Sequence, residues 1–159
     1  MATHFKGTKA ETDALNAYIK LMRAAESVTV RAHAVLPKDI TLAQFGALEA
    51  LLHRGPLSQS DLASKLLKSG GNITLIVDNL EKSGLVTRER DQEDRRFITV
   101  SLTEKGRTLI TGLFPQVAAS ITREFAALSS AEQFTLGWLC KKVGARSLPA
   151  TIPADSANS

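Results

Sequence analysis

The chain has 159 residues, 43% apolar and 23% charged, with a net charge of +4, the size and mix of one soluble domain able to bury a core. No apolar run nears the roughly 20 residues that span a bilayer, and the opening MATHFKGTKAETD lacks the apolar stretch of a secretory signal. A single cysteine, Cys140, excludes an internal disulfide framework, so a reducing, cytoplasmic location is expected.

A pI near 9.4 permits nucleic-acid binding. Arg54 to Arg107 carries only a slight excess of cations, however, so their placement matters more than their number.

Residues 1–12 are polar and expected to be flexible, and residues 13–144 are expected to form the folded domain. From Asp13 to Leu36 the spacing of Leu15, Tyr18, Ile19, Met22 and Ala25 predicts a long helix, which Pro37 ends. Thr41 is the expected cap of a second helix reaching His53, with Phe45, Leu48, Leu51 and Leu52 inward and Gly55-Pro56 as the stop. Ser58-Gln59-Ser60-Asp61 opens a short helix to about Leu67, with Leu62, Ala63 and Leu66 inward. Lys68-Ser69-Gly70-Gly71 reads as a turn, and Asn72 to Lys82 as the next helix, closed by Ser83-Gly84. Two short helices about a Gly-containing turn are a helix-turn-helix.

Leu85 to Arg90 and Phe97 to Leu102 alternate like strands on either side of the charged tip Asp91 to Arg96. A hairpin directly after the second helix of the pair is a wing. Thr103 caps a third long helix to about Leu128 that contains Pro115, and Ser129 to Glu132 is a capping box for a last helix to Val143. Residues 145–159 are rich in Ser, Pro and Ala, without periodicity, and are expected to be a disordered tail. The predicted fold is mainly α (α+β): a winged helix-turn-helix over 41–102, between dimerisation helices at 13–36 and 103–144. Those terminal helices carry more apolar surface than the small winged domain can cover, which points to a second copy as partner.

At 100° per residue, Ile73, Ile76, Val77 and Leu80 share one side of the second helix of the pair. Leu75, Asp78, Asn79 and Lys82 occupy the opposite side, flanked by Asn72 and Thr74. A helix entering the major groove of duplex DNA needs such a face: Asn pairs with adenine through two hydrogen bonds, and Thr or Leu touches a thymine methyl. A polar outer face alone fits any surface helix equally well; the turn before it and the wing after it favour DNA. The candidate DNA-binding residues are Lys68, Ser69, Gly71, Asn72, Thr74, Leu75, Asn79 and Lys82, with Arg88, Arg90, Asp94, Arg95 and Arg96 on the wing. Gly70 and Gly71 are read as serving the tight turn, Asp78 as an orienting partner for a nearby cation, and Asp94 as the support that extends Arg96.

Leu85-Val86-Thr87-Arg88, then Asp94-Arg95-Arg96, five residues, and Leu102-Thr103-Glu104-Lys105-Gly106 resemble the signature of the MarR family. Thr41 to Phe45, Ser60 to Ala63, and Thr74 with Asp78 to Val86 resemble its helix openings and recognition helix. The resemblance runs from about Leu15 to Val143. It implies a homodimer joined by the first and last two helices, with each winged domain reading half of a pseudopalindrome. It further implies a repressor released by a small phenolic or other aromatic anion bound between the dimer helices and the winged domain. Leu75 and Asn79 stand where relatives often carry Arg, so the bases read are not those of such relatives.

Other residues carry weaker signals. Cys140 opens a redox alternative, but the peroxide-sensing branch of the family places its cysteine in the first helix; a buried or interface thiol is the plainer reading. His4, His33 and His53 lack metal-ligand spacing, and no cofactor is expected. Phe134 and Trp138, four apart, read as core or interface. No phosphate loop, nucleophile elbow or HExxH motif supports an enzyme. A winged domain used only for protein contacts is the other alternative, and it fits poorly with Arg88, Arg90, Arg95 and Arg96 on the wing.

Overall fold

A computed structural model describes residues 5–67, 69–90 and 98–145. In chain order these form α1 (Lys9–Ala32), α2 (Leu42–Arg54), β1 (Leu57–Ser58), α3 (Gln59–Lys65), α4 (Gly70–Lys82), β2 (Val86–Arg90), β3 (Ile98–Leu102), α5 (Glu104–Phe125) and α6 (Ser130–Gly144). The chain divides into two units, Met1–Glu124 and Phe125–Ser159. No described helix is long and apolar enough to cross a membrane.

Local capping decides where the helices begin. Thr8 accepts from the Glu11 N–H while the Glu11 carboxylate accepts from the Thr8 N–H at 2.7 Å, so α1 starts four residues before Asp13. It also stops at Ala32, short of Leu36: the N–H groups of Ala34 and Leu36 donate to the carbonyls of Arg31 and His33 in tight turns ahead of Pro37. Thr41 and Gln44 form a second capping box at the expected start of α2, and Gly55, at φ +77°, turns the chain out of that helix in a conformation other residues rarely adopt. The short helix α3 ends at Lys65, before the expected Leu67, because Leu67 takes φ +51°.

The sheet has the order β1-β3-β2, all antiparallel. The wing strands pair Val86 with Leu102 through Arg90 with Ile98. The third strand was not expected from sequence: Leu57 and Ser58 pair with Val100 and Thr99, and two residues are too few to show alternation. Behind the sheet, Leu48 and Leu51 of α2, Leu62 of α3, Ile73, Val77 and Leu80 of α4, and Ile110 and Val117 of α5 are fully buried with Val86 and Val100. Each such side chain contributes about 1.5–3 kcal/mol of burial. Leu52, expected in the α2 stripe, is only half-buried against this core.

The exit of α4 is fastened to the start of α5. The Thr103 hydroxyl donates to the Gly84 carbonyl at 2.7 Å and accepts from the Gly106 N–H at 3.0 Å. The Thr103 N–H donates to the Leu85 carbonyl, and Lys105 Nζ to that of Ser83. A Cβ on Gly106 would lie 1.9 Å from the Leu85 oxygen, so only glycine lets α5 come this close.

In the second unit, α6 is capped by Ser129 and Glu132, and Gln133 Nε2 donates to the carbonyls of Phe125 and Leu128. No residue of α6 is buried. Phe134 and Trp138 are therefore not core residues of this chain, being 78% and 53% exposed, and Lys142 lies over the Trp138 ring. Cys140 is likewise exposed, not buried.

Gly106→Ala is expected to destabilise the fold by at least about 3 kcal/mol, since backbone rather than a flexible side chain must move. Thr103→Val, which keeps the shape but loses both hydroxyl bonds, should cost about 1–3 kcal/mol. Chemical denaturation checks both; a Gly106→Ala midpoint equal to wild type would contradict the close approach.

Candidate nucleic-acid interface

The recognition helix of the pair, α4, buries Ile73, Ile76, Val77 and Leu80. Its remaining residues face outward as the 100° spacing requires: Gly71, Asn72, Asn79 and Lys82 are exposed, Thr74 and Asp78 are half-buried, and Leu75 is 60% exposed. Ser69 is the N-cap but makes no side-chain capping bond, so its hydroxyl is not committed to the helix end. On the wing, Arg90 is exposed and Arg88 half-buried. Lys68, Asp94, Arg95 and Arg96 lie outside the described residues.

The reading of Gly70 and Gly71 as turn residues needs correction. Both lie in the first turn of α4, neither has positive φ, and a methyl on either would meet nothing within 4 Å. The turn is made instead by Leu67, at positive φ and 92% exposed. The local fold therefore does not require these glycines; what they leave open is the space outside the helix N-terminus, where backbone N–H groups attract phosphate.

Two side-chain contacts position α4. Gln59 Nε2, from α3, donates to the Thr74 hydroxyl at 2.8 Å, while that hydroxyl donates to the Gly70 carbonyl. The Thr74 hydroxyl is thus engaged within the protein, and its methyl remains for a base contact. Gln59 Oε1 is buried without a partner among the described residues. Gln59 carries no signal in the sequence, since a glutamine in the first turn of a helix is ordinary on the surface.

The second contact joins the wing to the helix. Arg88 Nη1 meets Asp78 Oδ1 at 2.7 Å, and Nε and Nη2 both donate to Glu81 Oε2. The Arg88 hydrogen bond holds the Glu81 carboxyl below its ordinary pKa, and Glu81 in turn raises that of Arg88. Asp78 thus has the cationic partner expected of it, and that partner, Arg88, is a candidate DNA-binding residue paired here with two carboxylates. Lys82 and Arg90 have no ion pair among the described residues.

The histidines His33 and His53 are each engaged with neighbours inside the first unit. His33 bonds the Thr29 carbonyl through Nδ1 and packs edge-on to Phe45, and His53 packs edge-on to Phe114. No cluster of three His, Cys, Asp or Glu residues able to hold a metal occurs among the described residues.

A helix-turn-helix followed by a two-stranded wing, with an outward face of short polar groups on its second helix, defines a winged-helix DNA-binding protein. The MarR family model matches residues 40–98. The chain is 36% identical over 140 residues to the HTH-type transcriptional regulator YkoM of Bacillus subtilis, covering 84% of this chain and 88% of that one. Among solved structures it resembles Bordetella bronchiseptica BpsR, whose DNA binding is regulated by 6-hydroxynicotinic acid, with TM-score 0.75 and 25% identity over 81% of this chain and 98% of the other. It also resembles a mutant of E. coli MarR solved in complex with operator DNA, with TM-score 0.69 and 28% identity over 80% and 96% of the two chains. The chain belongs to the MarR family, and it is a DNA-binding transcription regulator rather than an enzyme.

Gly71→Ala should leave the fold intact and raise stability by up to about 0.5–1 kcal/mol through helix propensity. A lowered thermal midpoint would show that the turn needs the glycine after all.

Proposed function

We propose that the protein is a cytoplasmic homodimeric repressor that binds pseudopalindromic operators and leaves them when a small aromatic or anionic ligand binds. The observation that carries the dimer is the apolar surface left uncovered: Tyr18, Met22 and Val30 on α1, and Phe134, Trp138 and Val143 on α6, are each about half exposed or more. Uncovered apolar residues repeated along helices mark an interface. Two copies related by a two-fold axis would present two α4 helices to two half-sites with centres about 10 base pairs apart.

The ligand-released reading is supported by BpsR, a structural relative regulated by 6-hydroxynicotinic acid. A cavity of about 380 Å³ beside the C-terminus of α1, lined by Val30, Leu36, Ile40 and Leu42 with His33 and Lys38, offers apolar walls and a cation to such a ligand. The direct DNA contacts fall to Ser69, Gly71, Asn72, Thr74, Leu75, Asn79 and Lys82, with Lys68, Arg90, Arg95 and Arg96 on phosphates or in the minor groove. Asp94 supports Arg96. Cys140 then has no regulatory role.

Sedimentation at micromolar concentration should give twice the chain mass, and Phe134→Glu with Trp138→Glu should shift it toward the monomer. Selection from random duplexes should return a two-fold motif, with log affinity falling linearly against log salt at about −0.9 per phosphate contacted. A monomeric wild type that binds a full palindrome tightly would overturn the dimer.

Arg96→Ala should leave thermal unfolding nearly unchanged while weakening binding by about 1–3 kcal/mol. Asp94→Ala should weaken binding too, although it removes a negative charge. Tighter binding by Asp94→Ala would show that charge repulsion outweighs support.

A further inference from the structure

Asp78 projects from the outward side of α4, between Leu75 and Lys82, and Glu81 stands one helical turn beyond it on the flank toward the wing. A helix laid into the major groove brings that face close to phosphates on both strands. Two bare carboxylates there would repel the backbone of the very ligand the helix must read. Their side chains are about one-third exposed, so water alone does not hide them.

Arg88 reaches across from β2 and meets both. Each of its three guanidinium nitrogens bonds a carboxylate oxygen: Nη1 that of Asp78, and Nε and Nη2 that of Glu81. Its side chain is 27% exposed, its position is fixed by β2 pairing with Val100, and the three-residue group retains a formal charge of −1. Turning Arg88 toward a phosphate would gain one contact and uncover two anions.

We infer that Arg88 is a charge-masking residue for DNA binding, not a phosphate ligand: shared between Asp78 and Glu81, it offsets one of their two negative charges. The masking role concerns the charge balance of α4 and is independent of dimerisation and of any released ligand. It also accounts for an acidic residue on a DNA-facing side, because Asp78 supplies an anchor for Arg88 that no neutral side chain would.

The test is a charge cycle in the full-length protein, using as probe the tightest duplex that the wild type recovers from a random pool, with anisotropy as the readout and thermal unfolding of every variant beside it. Arg88→Gln should weaken binding on the order of tenfold at low salt, since two carboxylates then act on several phosphates roughly 10 Å away. Asp78→Asn with Glu81→Gln, keeping Arg88, should bind more tightly than wild type, because two anions are gone and a cation is released. The triple variant should return close to wild-type affinity even where its thermal midpoint stays low, a recovery that a merely structural role would not give. A triple variant as weak as Arg88→Gln would identify Arg88 as a phosphate ligand and overturn the inference. Weaker binding by the double carboxylate variant would also overturn it, and this arm holds even if Arg88→Gln does not fold.

Discussion

The carbonyl oxygen of Leu85 sits where the recognition helix ends, the wing begins and the long helix α5 passes behind. It accepts the Thr103 N–H, and Gly106 clears the space in front of it because a Cβ there would come within 1.9 Å. Thr103 closes the same junction from the other side, with its hydroxyl on the Gly84 carbonyl. Leu85 and Val86 are buried next to this point, and Gly84 turns the chain at φ +69°. Three elements therefore share one backbone junction, and neither α4 nor the wing can tilt without breaking hydrogen bonds in a region where unpaired groups cost about 1–3 kcal/mol each. The angle at which α4 is presented to a groove is set here, away from the DNA-facing residues themselves.

Rigidity at that junction makes the charge pattern of α4 matter. A flexible helix could turn an awkward carboxylate away from DNA, whereas one fixed at its C-terminal end, and tied to α3 through Gln59 and Thr74, cannot. The anions must be balanced in place, and the cation that meets them comes from β2. The same division of labour holds at the N-terminal end of α4: Leu67 makes the turn, while Gly70 and Gly71 leave open space above backbone N–H groups.

Three helix starts were legible from a local signal. Thr41 with Gln44, Ser58 with Asp61, and Ser129 with Glu132 cap as their spacing indicates, and the buried stripe of α4 follows from its period alone. Thr8 with Glu11 carries the same spacing, but the apolar periodicity of α1 begins only at Leu15 and hides the earlier start. The strand β1 was illegible for a different reason: two residues have no period, and their pairing with Val100 depends on a segment some forty positions away in the chain.

The sequence by itself determined the helices and the two wing strands, their order, the buried face of α4 and the family signature, because each is encoded in residues a few positions apart. It also placed on α1 and α6 the large apolar residues that stay exposed. Only the tertiary structure decided which cations are paired among the described residues. Arg88 and Arg90 are two apart on one strand and indistinguishable by composition, yet one is enclosed by Asp78 and Glu81 and the other is exposed. The tertiary structure likewise decided why Gly106 must be glycine while Gly71 need not be. Both are helical glycines near a helix start, and they differ only in whether another segment's backbone lies against them. Hydrogen bonds and steric clearances between segments far apart in sequence leave no local pattern, so they become visible only when the chain has folded.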